Sequence, residues 1–276
     1  MNLEFNKRLE KAAAFVEEQG YHPVYIALFG AQNYELDIHT DEYQSDFDFK
    51  CIVLPTLAEM IKNSKPTSVV LDYEGGHIDV KDIREYMKVV TKANPSYIEP
   101  LITPHCMPLN EGKYYMVDIC SKAQRLVSEE GFIFISACKG LFYEKKTRMS
   151  HPFPTKMELI NKYGYDGKQV SHALRMLLVL KSFGATGKYN LVPPKEFVKQ
   201  LIDLKMNKYT IDEAKTLLEG WQVELEHLCA DLSKIYRQQD SFKFEAAEEM
   251  MLYAQRMVFD FCQTQTGKGE NLLFDT

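Results

Sequence analysis

Paired cysteines are missing from this chain. Its six cysteines (Cys51, Cys106, Cys120, Cys138, Cys229, Cys262) are scattered through 276 residues and no two stand in a CxxC spacing. Neither a zinc site nor a disulfide framework is suggested, and the thiols read as reduced, mostly buried groups of a cytosolic protein. No stretch approaches the eighteen or more apolar residues of a membrane span. The opening MNLEFNKRLEKAAAFVEEQG carries charges throughout and has no apolar h-region, so it does not read as a signal peptide. A cytoplasmic location with no membrane partner is the expectation. Excess positive charge is also lacking: the net charge of −6 argues against a protein that coats nucleic acid by charge alone, while leaving room for a local basic cleft. There is no internal repeat and no low-complexity tract. The GKG near residue 268 lacks the spacing and the following Ser or Thr of a P-loop.

What is present is ordinary in bulk. Apolar residues make up 45% and charged residues 26% of the chain, which suits a globular protein with one large domain or two modest ones. Residues 3–19 read as an amphipathic helix that Asn2 can cap and Gly20 can end. HPVYIALFG and FDFKCIVLP read as strands, the second stopped by Pro55. A short helix over 57–62 follows. SVVLDYEGGHIDVKD then gives two β-rich runs around Gly75-Gly76, a hairpin pattern, and Asp82 can cap the next helix, IREYMKVVTK. Beyond about residue 92 strand signals nearly vanish. Helical patterns cover 111–130, 133–146, 155–162, 168–183, 194–205, 211–238 and 244–262, separated by "NPS", "MPLNEG", "HPFPT" and "GATGKYN". The tail from residue 264 reads as irregular. The expected fold class is α+β: a small mixed-sheet core over residues 1–110, then an α-helical portion over 111–276.

Two aspartates carry the chemical signal. Asp46 and Asp48 stand at the mouth of the second strand, two positions apart. On a strand both would leave the same face, with Cα atoms about 6.5–7 Å apart. Carboxylates that close repel unless a cation lies between them, and hard oxygen donors without nearby Cys or His favour Mg²⁺ or Mn²⁺. Asp79 lies in the hairpin strand, and if that strand pairs beside the first, three acids converge. Such a trio can hold two metals about 3.5–4 Å apart for in-line phosphoryl chemistry. The alternative is a solvated strand start or a cap. Gly30 ends the preceding strand, and Ala31-Gln32-Asn33 follow on a turn whose N–H groups could face a phosphate.

The pattern FGAQNY…SDFDFKCIVLP…HIDVKDI resembles the nucleotidyltransferase superfamily of DNA polymerase beta, with its Gly-Ser turn, [DE]x[DE] strand and third acid. It is most similar to predicted bacterial and bacteriophage nucleotidyltransferases that read GSxxYG…SDxD and carry a later helix of the form YDxKxxxHxxRL. This chain has YDGKQVSHALRML at residues 165–177. The resemblance covers roughly residues 20 to 185. It implies that Asp46 and Asp48 bind two divalent ions, that Asp79 binds the ion activating the acceptor hydroxyl, and that Gly30 and its neighbours hold the nucleoside triphosphate. Two positions depart from the pattern: Ala31 replaces the usual serine, and Glu35 replaces a glycine. Losing one hydroxyl contact costs about 0.5–1.5 kcal/mol.

Lys168, His172 and Arg175 are spaced i, i+4, i+7 and share one helical stripe within about 40°. In this context the stripe reads as a cationic wall for the triphosphate or departing pyrophosphate, with Arg175 forking onto oxygens, Lys168 as a point charge and His172 giving a proton or hydrogen bond. A solvated face is the plain alternative. Lys81 shares a strand face with Asp79, where it could serve the site or form a simple ion pair. His77 and His151 read as structural, and EKKTR, at 144–148, as a solvated helix end, with contact to an acceptor as the alternative. The implied activity is transfer of a nucleoside monophosphate from an NTP to a hydroxyl, with pyrophosphate released. The acceptor (transfer RNA or another RNA end, a protein side chain, or a small alcohol) stays open. The rival is a catalytically weak nucleotide-binding or partner-binding protein on the same fold.

Overall fold

The computed structural model describes residues 3–41, 43–237 and 245–267. A five-stranded mixed sheet organises the amino-terminal part. Its strands are β1 (His22–Phe29), β2 (Asp48–Leu54), β3 (Ser68–Tyr73), β4 (Gly76–Asp82) and β5 (Cys106–Pro108), in the order β3-β4-β2-β1-β5. Only β2 and β4 run parallel; the other three pairings are antiparallel. The parallel pairing follows from the connection, since helix α2 (Leu57–Ile61) and β3 return the chain to the start of β4. Thr56 and Glu59 cap α2 reciprocally.

Strand alternation assigns the two faces. Ile26 and Leu28 of β1, Phe49, Cys51 and Val53 of β2, and Ile78 and Val80 of β4 pack under helix α1 (Leu3–Glu18), which contributes Leu9, Ala12, Ala13 and Val16. The opposite parity, Tyr25 and Ala27 of β1 with Ile52 and Leu54 of β2, faces the helical body. That body comprises α3 (Ile83–Val90), α4 (Pro95–Ile102), α5 (Lys113–Glu129), α6 (Gly131–Arg148), α7 (Met157–Tyr163), α8 (Gly167–Thr186), α9 (Lys195–Lys205), α10 (Ile211–Arg237) and α11 (Glu245–Gly267).

The α+β architecture agrees with the sequence pattern, with four differences. The "NPS" separator is the start of α4: Asn94 caps it and Pro95 takes the first helical position, where its missing N–H costs nothing. The three-residue β5 is too short to leave a periodic signal. Asp46 lies in the loop ahead of β2, so only Asp48 is on the strand. The Asn2 cap and the GKG motif fall wholly or partly outside the described residues, as does the tail beyond residue 267. Residues 264–267, read as irregular, extend α11 instead.

Apolar burial runs without a break from the sheet into the helices. One buried cluster contains Val24 and Tyr25 of β1, Met116 of α5, Leu174 and Leu177 of α8, and Met257 of α11. Gly112, at the start of α5, marks a close contact between the two parts. A Cβ there would lie 2.4 Å from that of Val24 and 2.9 Å from the sulfur of Met257.

Candidate nucleotide site

The parity that sends Ile52 and Leu54 of β2 to the helical side sends Asp48 and Lys50 there too. They open onto a cavity of about 370 Å³ between the ends of β1 and β2, α4, α6, α8 and α9. That volume is within the range of small-molecule sites. Five cationic side chains line it, Lys50, Lys145, Lys168, Arg175 and Lys205, against the carboxylates Asp46 and Asp48. The excess of cations suits an anionic ligand.

The glycine turn forms one wall. Gly30 has φ 96° and ψ −146°, a conformation open essentially only to glycine. A Cβ there would sit 3.9 Å from Asp48 Oδ2. The turn is tied from below. Glu99 of α4 is fully buried and accepts hydrogen bonds from Gly30 N–H at 3.1 Å, Asn33 Nδ2 at 3.0 Å and the Tyr34 hydroxyl. Asn33 also donates to the Leu28 carbonyl at 2.7 Å, while its backbone N–H donates to the Gly30 carbonyl at 3.0 Å. Of the four turn residues expected to hold the ligand, therefore, Gly30 and Ala31 line the cavity, whereas the side chains of Gln32 and Asn33 are buried braces. Gln32 Nε2 donates to the Asp46 carbonyl at 2.5 Å, fixing the acidic loop to the turn.

The helical wall comes from the motif at 165–177, in which each position has a separate task. Tyr165 is buried and donates to the Tyr209 carbonyl at 2.8 Å. Asp166 caps α8, accepting from Lys168 N–H at 2.9 Å. Gly167 must be glycine, because a Cβ would lie 2.0 Å from the Leu204 carbonyl oxygen of α9. Lys168, His172 and Arg175 then all reach the cavity, as the i, i+4, i+7 spacing predicts.

Their electrostatics differ. Arg175 is 7% exposed, and its guanidinium carbon stands 3.7 Å from the centroid of the Tyr34 ring. Its Nε and Nη1 are closed off from solvent, and Tyr189 is its hydrogen-bonding neighbour. Burial lowers its pKa, but Tyr34, Tyr189 and Glu99 outweigh that and hold it above the ordinary arginine value. Burial pushes Glu99 up, against the pull of Arg175 and the turn's hydrogen bonds. His172 is driven well down by burial and then by Arg175, Lys168, Lys145 and Lys205. It is a neutral hydrogen-bonding group at neutral pH. Lys205 is lowered to about 8, first by burial and then by Lys168. Its ammonium donates to Ser45 Oγ at 3.1 Å and to the Leu36 carbonyl at 3.4 Å.

The acids do not form a trio. Asp48 Oδ1 accepts from the His77 backbone N–H at 3.2 Å, with His77 Nδ1 3.5 Å away, so His77 belongs beside the site. Asp46 is exposed at the rim. Asp79 is bound to Lys50, Nζ to Oδ2 2.8 Å, and is not part of the cavity lining. Lys81 instead donates to Ser68 Oγ at 2.7 Å. Among the described residues no three Asp, Glu, His or Cys side chains converge as metal ligands. Asp46 and Asp48 thus have the donor chemistry for a hard divalent cation, but the three-acid cage for two ions is not assembled. Sequence reading missed Lys50 and Lys205 as cavity cations and Tyr34 and Glu99 as supports, and it singled out Lys145 only within EKKTR. Only the register of β2 against β4 reveals Lys50 opposite Asp79.

No helix among the described residues is long and apolar enough to cross a membrane. No family model matches the chain, and no curated protein is similar enough to match. Among solved structures, a nucleotidyltransferase-like protein from Exiguobacterium sibiricum 255-15 is similar over 93% of this chain and 90% of that chain, at 13% identity and a TM-score of 0.31. A likeness that distant carries no argument about fold or function for this chain.

Proposed function

We propose that the cavity binds a nucleoside triphosphate and transfers its nucleoside monophosphate to a hydroxyl acceptor. In that reaction the acceptor oxygen bonds to the α-phosphorus while the bond from phosphorus to the α,β-bridging oxygen breaks, releasing pyrophosphate. The observation that carries the reading is the charge of the cavity: Lys50, Lys145, Lys168, Arg175 and Lys205 line it against only two carboxylates, Asp46 and Asp48. A hydrogen bond to a charged group contributes about 1.5–3 kcal/mol, so an oxyanion in the cavity gains from each of these cations that it reaches.

The residues divide the work by position. Gly30 and Ala31 let the ligand approach the backbone closely, since neither presents a long side chain. Arg175 offers directed donors, and Lys168, Lys145 and Lys205 supply charge for the triphosphate and departing pyrophosphate. Neutral His172 offers a hydrogen bond without adding charge. Asp46 and Asp48 would hold a divalent ion, Mg²⁺ or Mn²⁺, which when bound supplies positive charge to the α-phosphate and the leaving group.

A second reading, nucleotide binding without efficient transfer, is favoured by Ala31 in the turn and by the Lys50–Asp79 pair. Turnover separates them. Incubation with each α-labelled NTP, Mg²⁺ or Mn²⁺ and a mixed RNA and protein extract labels an acceptor if transfer occurs. Asp46→Asn with Asp48→Asn abolishes that label without lowering the thermal midpoint. Nucleotide binding with no label on anything supports the second reading, and a label that survives the double substitution contradicts the assigned site.

A further inference from the structure

We propose that Lys50 is the resident cation at Asp79, standing where the resemblance would put a second metal ion, so that the site takes a single divalent ion at Asp46 and Asp48. The proposal rests on the nucleotide reading of the cavity but concerns a different pair of residues. Lys50 and Asp79 face each other in register across the parallel β2–β4 ladder, with Nζ 2.8 Å from Oδ2. The Lys50 side chain is only 9% exposed, yet it lines the cavity while Asp79 does not. The ammonium therefore stands between the third acid and the ligand space.

Its position is also enclosed. The Lys50 Nζ lies 4.7 Å from the Phe29 ring centroid and 4.4 Å from that of Tyr97, whose electron-rich faces suit a cation. Lys81 Nζ lies 5.6 Å from the same Tyr97 ring, so a second positive charge is already close. A divalent ion on Asp79 would have to expel the ammonium from this enclosure and then remain near both lysines. Asp48 lies two residues before Lys50 on the same face of β2. Along that face the chain thus presents, in sequence, a metal-ligand carboxylate and a fixed positive charge. Such a charge cannot be removed by a chelator.

Counting bound Mn²⁺ by equilibrium dialysis with electron paramagnetic resonance tests this on the full chain, with and without a non-hydrolysable ATP analogue. The wild type should bind one Mn²⁺ beyond any carried by free nucleotide. Lys50→Met, which keeps the apolar stem and removes the charge, should gain one further Mn²⁺ in both conditions. Lys50→Met combined with Asp79→Asn should lose that added ion, and Lys50→Arg should stay at the wild-type count. Two ions or none in the wild type, or no gain in a folded Lys50→Met variant, overturns the proposal, and the wild-type count decides if that variant does not fold. If the analogue binds to no variant, the nucleotide reading fails, and the nucleotide-free arm still decides the role of Lys50.

Discussion

On the proposed reading, Arg175 is the cavity cation best suited to directed contact with phosphate oxygens. It combines deep burial with stacking on the Tyr34 ring. Arg175→Lys keeps the charge but cannot fork onto phosphate oxygens. It should weaken binding of a triphosphate about tenfold or more, as read by calorimetric titration. Glu99 works one step behind, holding the Gly30 turn through three donors. Glu99→Gln removes the charge that faces Arg175 and gives one oxygen position the wrong polarity. We expect a loss of about 1–3 kcal/mol in urea unfolding. Neither role could be read along the chain. Glu99 sits in a segment punctuated by prolines that looked like a separator, and its partners lie more than sixty residues away in sequence. Asp46 and Asp48 were visible because their proximity is local. The loss of Asp79 to Lys50 was not, because strand register decides it.

At the scale of elements, the packing of α8 on α9 places the basic wall. Asp166 and Gly167 begin α8 where the Leu204 carbonyl of α9 leaves no room for a side chain, and Lys205 follows at the end of α9. Asp166→Ala should cost about 0.5–2 kcal/mol of stability, measured by denaturant midpoint, through loss of the cap. The same contact explains a pH dependence. Lys205 titrates near 8 in the folded chain, below the ordinary lysine value of 10.5, so its charged form is the one the fold disfavours. Its penalty is complete below pH 8 and fades as pH rises from 8 to 10.5, a window in which this residue makes unfolding less favourable with rising pH. The groups facing it are Lys168, Asp37 and Asp46, with Ser45, the Leu36 carbonyl and the Tyr43 ring. A bound anion favours the charged form. Binding should therefore take up protons near pH 8 and weaken as pH rises above it, shown by titration in buffers of different ionisation enthalpy. Lys205→Met should remove the proton uptake. The helical periodicity of α8 was plain in the sequence, and it correctly put Lys168, His172 and Arg175 on one face. The neutrality of His172 was not, because it results from burial and then from four cations gathered from α6, α8 and α9.

At the scale of the whole molecule, the α/β part and the helical part share buried surface. Val24 and Tyr25 of the sheet lie in one cluster with Leu174 of α8 and Met257 of α11, and Gly112 leaves no room for a side chain between them. A fragment ending at residue 110 should therefore lack cooperative thermal unfolding, while the full chain shows it. The order of elements was readable because strands and helices differ in period, apart from the proline-rich α4 and the three-residue β5. The shared burial was not, since it depends on contacts between segments far apart in sequence. The cavity depends on that sharing: the turn and acids come from the sheet, and the cations come chiefly from helices that follow it.

The central claim is that this cavity is a triphosphate site, and Lys168 allows the most direct test because it is exposed and outside the buried cluster. Titration of a non-hydrolysable NTP with Mg²⁺ into the wild type and into Lys168→Met should show saturable binding, weakened about five- to thirtyfold by the substitution at an unchanged thermal midpoint. Equal affinity in the two proteins, or no binding of any NTP to the wild type, would contradict the account.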